Sequence, residues 1–277
     1  MIETPFGRVQ TPMAILPYFY CPKCDVDVNP GDCPHNRQDF TPPIWIKEFA
    51  LWKKGKFEVV GKKLEKFEWL KNNAVVFNNG FEEGNFSQWT STWVSNGTMS
   101  VVSAEQREGT YSAQANITAS GGYASVYKTI TGIATIYARY YFKLTVDNTP
   151  SGSRITSIGF VSAGTWGDRR VNVVLYNNAG TRLFYLNYFN GSLTEATSST
   201  VCSFNTWYCV EIKCVISATV GEARLYVDGT EIITKTSINT GASNITRFDC
   251  FHYGQFGTGT SYFDSVVIDN ADYIGPI

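Results

Sequence analysis

The chain is expected to fold as an all-β, two-sheet sandwich, and three observations carry that expectation. From about residue 78 the sequence breaks into roughly a dozen short strand-like runs separated by turn signals. Asp228-Gly229 and Asn190-Gly191 join neighbouring runs with the residues that tight hairpins demand. No stretch carries the 3.6-residue apolar period of an amphipathic helix. An aromatic content of 15% beside only 17% charged residues suits a protein of many half-buried strands.

Three segments follow along the chain. Residues 1–43 are Pro-rich and contain Cys21-Pro-Lys-Cys24 and Cys33-Pro-His35. Three thiolates and one imidazole form a tetrahedral donor set of the kind zinc prefers. The turn Asn29-Pro30-Gly31-Asp32 returns the second pair to the first. A segment this small cannot bury a useful core, so metal would supply much of its folding energy. All four positions are filled by protein, which makes the expected zinc structural. Residues 44–77 interleave lysines with Trp45, Phe49, Trp52, Phe57, Phe67 and Trp69, and Lys53-Lys54-Gly55-Lys56 reads as a turn between short strands. This segment is expected to be a small β element that links or anchors. Residues 78–277 form the body.

The body's expected strands are Thr98–Ser103, Tyr111–Ile117, Tyr123–Ile130, Ile133–Val146, Arg154–Ser162, Arg170–Tyr176, Arg182–Phe189, Trp207–Ile216, Glu222–Val227, Glu231–Lys235, Ile245–Tyr253 and Ser261–Ile268. In the longest, Ala134, Ile136, Ala138, Tyr140, Phe142, Leu144 and Val146 share one face and belong in the core. The other face carries Tyr137, Arg139, Tyr141 and Lys143, as a sugar-facing or an ordinary solvated sheet surface would. Trp207 is assigned to the core. Cys202, Cys209, Cys214 and Cys250 are expected as buried free thiols, with a Cys202–Cys209 or Cys209–Cys250 disulfide left open.

A net charge of −1 gives no bulk attraction for nucleic acid. No apolar run reaches membrane-spanning length. The N-terminus lacks a basic region followed by a sustained apolar one, with Pro12 and Pro17 interrupting the only candidate, so no secretory signal is read there. An extracellular style of body without such a signal points to another route outward, such as virion assembly followed by lysis.

The opening Asn79-Gly-Phe-Glu-Glu-Gly-Asn-Phe-Ser-Gln-Trp89 resembles that of carbohydrate-binding jelly rolls and concanavalin A-like modules. Glu108-Gly-Thr-Tyr-Ser-Ala113 follows at the usual interval. Trp207–Ile212 and Gly221–Gly229 look like the paired strands of laminin-G-like domains, and Tyr262–Ile268 is similar to their closing strand. The resemblance covers roughly residues 78–275 and implies a concanavalin A-like jelly roll. It further implies a structural calcium held by Glu82 and Asp264, hard oxygen donors near both ends of the module. The N-terminal segment resembles a short zinc ribbon.

The fold also hosts hydrolases and lyases, so chemistry must be argued from a site. The laminarinase-type Glu-x-Asp-x-x-Glu is absent, and of the lyase-type signatures only Tyr141-Phe142-Lys143 is present in part. His252 with Tyr253 and Arg247 is the one lyase-like group, and a lone histidine beside strand aromatics is more often structural. The expectation is therefore a non-catalytic protein. It is anchored through residues 1–77 to other proteins of a virion, filament or surface assembly in many copies, and its jelly roll binds glycans through Trp166, Arg169, Tyr137, Tyr141 and Trp89, with Trp93 and Tyr185 as further candidates. A stand-alone carbohydrate-binding module is the alternative, and a polysaccharide lyase or hydrolase the less favoured one.

The zinc reading predicts that elemental analysis of the purified chain finds stoichiometric zinc, and that Cys24→Ser with Cys33→Ser removes it and loosens the N-terminal segment to proteolysis. Zinc retained in full by the double variant would refute it.

Overall fold

The computed structural model describes residues 75–277, apart from the side chains of Thr156 and Ser157, and ahead of them only the backbone of seven short strands. The chain divides into two units, Met1–Asn73 and Ala74–Ile277. In the first, β1 (Ile2–Thr4) pairs with β2 (Gly7–Val9), and β3 (Pro17–Cys21) pairs with β4 (Val26–Val28) and β5 (Ile44–Trp45). β6 (Ala50–Lys53) and β7 (Lys56–Val59) pair antiparallel. The side chains of Cys21, Cys24, Cys33 and His35 lie outside the described residues.

The second unit is the sandwich. Its strands are β8 (Val75–Asn79), β9 (Ser91–Ser95), β10 (Gly97–Val102), β11 (Ser112–Ile117), β12 (Gly122–Ile133), β13 (Thr135–Asp147), β14 (Arg154–Ser162), β15 (Arg169–Asn178), β16 (Thr181–Phe189), β17 (Leu193–Ala196), β18 (Val201–Cys202), β19 (Trp207–Val215), β20 (Gly221–Val227), β21 (Thr230–Ile238), β22 (Ile245–Gly254) and β23 (Gly259–Asp269). Sheet A runs β10-β11-β23-β13-β19-β20-β21, with β8 also on β23. Sheet B runs β17-β16-β15-β14-β22-β12-β9, with β18 also on β16. Every pairing is antiparallel, the two-layer arrangement of a jelly roll. The β20–β21 turn holds Asp228 at φ 48° and Gly229 at φ 81°, the positive dihedrals that an Asp-Gly hairpin supplies at low cost. The short strands β9, β17 and β18 carry no clear alternation and went unread in the sequence.

Period-two alternation fills the space between the sheets. Ile136, Ala138, Tyr140, Phe142 and Leu144 of β13 are fully buried there, and Tyr140 packs on Phe248 of sheet B at 5.8 Å and on Phe263 of β23 at 6.0 Å. Val146 leaves the core because a register shift after Leu144 turns it outward, 45% exposed. Gly159 of β14 faces the Tyr140 ring so closely that a Cβ there would lie 2.5 Å from the phenol oxygen. The four cysteines are free and buried.

The middle of sheet A's outer face is covered by the chain's own last residues. Glu211 of β19 accepts the amides of Ile274 and Gly275, both at 2.9 Å. Arg139 of β13 donates to the Gly275 carbonyl at 3.2 Å, and Tyr141 exchanges hydrogen bonds with the backbone of Ile277 at 2.9 and 3.0 Å. Burial raises the Glu211 carboxyl, with the two amides and Arg139 opposing that rise. Trp207 stands on this outer face, half-buried with Lys143 over its ring at 5.9 Å, instead of in the core. Its parity is that of Cys209 and Glu211, opposite to the core residues Val210 and Ile212.

Gly159→Ala is expected to destabilise the sandwich by about 1–3 kcal/mol through overpacking. Tyr140→Phe, which removes a buried phenol oxygen with no partner, is expected to be near neutral and to relieve part of that cost. A double-mutant cycle in denaturant measures the coupling, and additive effects would contradict the contact.

Candidate functional site

With the middle of sheet A's outer face covered, the outer face of sheet B holds the most chemistry. It is built by the alternation of β22. Phe248 and Cys250 point into the core, and Arg247, Asp249, Phe251 and Tyr253 point out. β12 lays Tyr123, Ser125 and Tyr127 opposite Tyr253, Phe251 and Asp249, and β9 brings Trp93 opposite Ser125.

Phe251, 2% exposed, is the hub of an aromatic platform. Its ring meets Trp166 at 5.0 Å, Phe160 at 5.4 Å, Trp93 at 6.0 Å, Tyr253 at 6.2 Å and Tyr123 at 6.3 Å. Trp93 also touches Tyr123 at 4.4 Å. The hub is buried while Trp93, Trp166, Tyr123 and Tyr253 keep surface in solvent, so the cluster holds four accessible rings in fixed positions. Trp166 comes from a short 3-10 turn, Trp166–Asp168, in which the Thr165 hydroxyl bonds Asp168 at 3.0 Å. Arg169 lies over the Trp166 ring at 4.1 Å and donates to its carbonyl at 2.8 Å.

Two arginines on this face are each matched by a carboxylate. Arg247 grips Asp249 with two hydrogen bonds of 2.6 and 2.7 Å and lies 3.7 Å over the Tyr127 ring, and the Ser125 hydroxyl donates to Asp249 at 2.8 Å. Burial pushes the Asp249 carboxyl up to about 6, with the Arg247 fork opposing the rise. Further along, Arg154 bonds Glu195 at 2.6 Å, beside the stacked pair Tyr176 and Tyr185 at 5.3 Å. A hydrolase needs two carboxyl groups free to reach the scissile bond. Asp249 and Glu195 are both committed to arginines, and exposed Asp168 is bonded to Thr165 in the Trp166 turn, so what the platform itself offers is stacking, amide and hydroxyl bonding, and proton transfer by tyrosine.

The sequence-predicted residues scatter. Trp166 and Arg169 join the platform. Trp89 is 5% exposed in the core, stacked on Phe81 at 5.4 Å with its indole N–H on Asn79, and has no surface to offer a sugar. Tyr141 is 3% exposed under the C-terminal residues, and Tyr137 is half-buried with Lys213 5.6 Å over its ring, both on sheet A. His252 does not combine with Arg247 and Tyr253. It alternates to the inner side, where its Nδ1 meets the Ser261 hydroxyl at 2.9 Å and burial drops it to about 4, leaving it neutral. Sequence reading missed Phe251, Asp249, Ser125, Tyr123 and Tyr127. The alternation of residues 247–253 was the available signal.

Glu82 and Asp264 do converge on one loop, but as acceptors for its backbone. Glu82 takes the amides of Thr110 and Tyr111 at 2.9–3.2 Å. Asp264, fully buried, takes those of Arg107, Glu108 and Ser265 at 2.6–3.1 Å. Amide hydrogens point where a cation's charge would lie, and no group of three acidic, histidine or cysteine side chains among the described residues is arranged to hold a metal ion. The donor set does not fit a calcium cage. Burial pushes Asp264 up to about 6 against the pull of its three amides.

No known protein family matches the chain, and no curated protein resembles it in sequence. Solved structures do resemble it in fold. An endo-β-1,4-glucuronan lyase from the fungus Trichoderma reesei matches at a TM-score of 0.56 and 17% identity, over 71% of this chain and 96% of that one. The cellulose-induced protein Cip1 matches at 0.54 and 14%, over 73% and 100%. A carbohydrate esterase from a Shiga toxin-encoding bacteriophage matches at 0.51 and 11%, over 72% and 99%. At such identities the likeness establishes the jelly-roll fold, one used by carbohydrate-active proteins. It overturns the expectation of a non-catalytic protein, because the same sandwich over the same span is that of a lyase and of an esterase. The signatures sought in the sequence belong to particular families, and their absence does not exclude catalysis on this fold.

Asp264 generates a pH prediction. Its folded pKa of about 6 lies above the unfolded value of 3.8, so its contribution to stability is complete below pH 4 and lost as pH rises through 6. Acidifying from pH 7 to 5 should raise the melting temperature, by about 1 kcal/mol in stability from this group. Asp249, raised likewise to about 6, contributes a rise of the same sign, so Asp264→Asn should reduce the rise without abolishing it, and an unchanged profile in the variant would count against it.

Proposed function

We propose that this protein acts on polysaccharide, holding a glycan on the outer face of sheet B. The observation that carries the reading is the Phe251-centred platform, where Trp166, Trp93, Tyr123 and Tyr253 present rings for the C–H faces of sugars while Arg169 and Arg247 stand beside them. The fold likeness to a glucuronan lyase, to Cip1 and to a carbohydrate esterase supports it.

Bond cleavage by β-elimination is the second reading, favoured by Arg247 and the tyrosines sharing one face. On a uronate polymer, Arg247, oriented by Asp249, would neutralise the sugar carboxylate. A tyrosine acting as its phenolate would take the proton from the carbon next to that carboxylate, the electron pair of that C–H bond would form the new double bond, and the glycosidic C–O bond on the adjoining carbon would break. The leaving oxygen would receive the proton back from the tyrosine.

In this reading residues 78–277 are displayed and residues 1–77 attach them to other proteins of a particle, filament or surface assembly. Zinc on Cys21, Cys24, Cys33 and His35 would brace residues 1–43, and residues 44–77 would serve as the basic, aromatic anchoring element. The bacteriophage origin of one fold neighbour is consistent with a virion setting.

The test combines a glycan array with incubation on glucuronan and alginate, read by the ultraviolet absorbance of unsaturated sugar ends. Trp166→Ala should weaken glycan binding by about tenfold or more. Tyr123→Phe, Tyr127→Phe and Tyr253→Phe keep the rings, and at least one should abolish product while preserving binding. No glycan retained by the native chain, or binding indifferent to Trp166→Ala, would sink the proposal.

A further inference from the structure

The strand register places one continuous row of outward residues across sheet B, from Glu195 through Asn187, Asn172, Phe160, Asp249 and Tyr127 to Ser91. These are direct cross-strand partners on seven consecutive strands, so the row spans about 29 Å perpendicular to them. The aromatic platform occupies only one end. Around Asn187 at the other end stand the stacked pair Tyr176 and Tyr185, with the Arg154 guanidinium 6.0 Å from the Tyr176 ring. Arg154 belongs to β14 and Glu195 to β17, three strands apart, yet they meet at 2.6 Å, so their ion pair reaches across the outer side of β15 and β16.

Asn187 marks this end as a site. It is 6% exposed, sits on the outward parity of β16, and its Oδ1 has no hydrogen-bond partner. A buried amide oxygen without a donor costs stability unless something supplies one, and an acceptor on the outward parity of β16, two residues from Tyr185 on the same face, suits a hydroxyl-bearing ring. This end of the face carries little net charge to select a polyanion, since Arg154 is matched by Glu195. Recognition here is by ring faces and hydroxyls.

We infer that sheet B has a second sugar subsite at Tyr176, Tyr185 and Asn187, bridged by Arg154 and Glu195, and that its ligand is the interior of an unbranched polysaccharide running across the strands. This rests on the glycan reading above and adds the ligand's length and direction to it. A terminal sugar or a short branched glycan fills one end of the row only. A linear chain fills both, with a sugar hydroxyl donating to Asn187 Oδ1.

The experiment measures affinity calorimetrically for cello-oligosaccharides and for glucuronan oligosaccharides, each from disaccharide to octasaccharide, in the full chain. Native protein should bind the octasaccharide of one series at least about tenfold more tightly than its disaccharide. Tyr185→Ala should abolish that gain and leave disaccharide affinity unchanged, whereas Trp166→Ala should weaken every length. Asn187→Ala should act like Tyr185→Ala. Should the buried Asn187 site not tolerate alanine, the half-buried Tyr185 variant decides alone. Affinity independent of length, or a length gain that survives Tyr185→Ala, overturns the second subsite while leaving the platform standing. Failure of both series to bind at any length overturns this inference, and the glycan array decides the reading above on its own.

Discussion

The alternation of one central strand governs everything else in the described unit. β22 sits between β14 and β12, and successive side chains on it face opposite sides of sheet B. Its inward set, Phe248 and Cys250, knits the two sheets together, and its outward set, Arg247, Asp249, Phe251 and Tyr253, organises the aromatic and ionic groups of the outer face. Slipping this strand by a single residue would exchange the two sets, burying an arginine in the core and turning Phe248 to solvent. Core packing therefore enforces the geometry of the site. Phe251 cannot leave the platform without Phe248 leaving Tyr140.

The two outer faces have opposite fates for electrostatic reasons. On sheet A, Glu211 and Arg139 are satisfied by backbone groups of residues 274 and 275, so the chain itself fills the position a ligand would take. On sheet B, Arg154 and Arg247 are neutralised side chain to side chain by Glu195 and Asp249, which leaves ring faces, tyrosine hydroxyls, the Arg169 guanidinium and the Asn187 amide oxygen as the groups with capacity to spare. That division favours a ligand with many hydroxyls and flat apolar faces over a small ion. The same distinction accounts for Glu82 and Asp264. Their oxygens accept loop amides, which fixes residues 107–111 against the closing strand.

The solved structures that share this sandwich include a lyase, an esterase and a protein named only for its induction by cellulose. Sandwiches of this kind separate scaffold from chemistry, since outward residues change freely while inward ones must pack. A tyrosine-rich face with its carboxylates locked to arginines can bind or can eliminate. The difference lies in whether one hydroxyl reaches a sugar proton, a matter of a few tenths of an ångström in a bound complex.

Local physics was legible in the sequence: the strands β10 to β16 and β19 to β23, the Asp228-Gly229 hairpin, the buried face of β13 and the burial of four free cysteines all follow from alternation, turn chemistry and composition. Trp166 and Arg169 were legible as a polar-flanked loop. What the sequence could not decide was which of two equally patterned outer faces stays open. Tyr137 and Tyr141 have the same alternation and the same residue type as Tyr123 and Tyr127, yet the first pair lies on the face whose middle is covered by residues 273–277 and the second beside Phe251. Trp89 and Trp93 stand four residues apart, one stacked in the core on Phe81 and the other open to solvent. Alternation is a property of one strand, whereas covering a face depends on where distant segments of the chain return, and only the tertiary structure sets that.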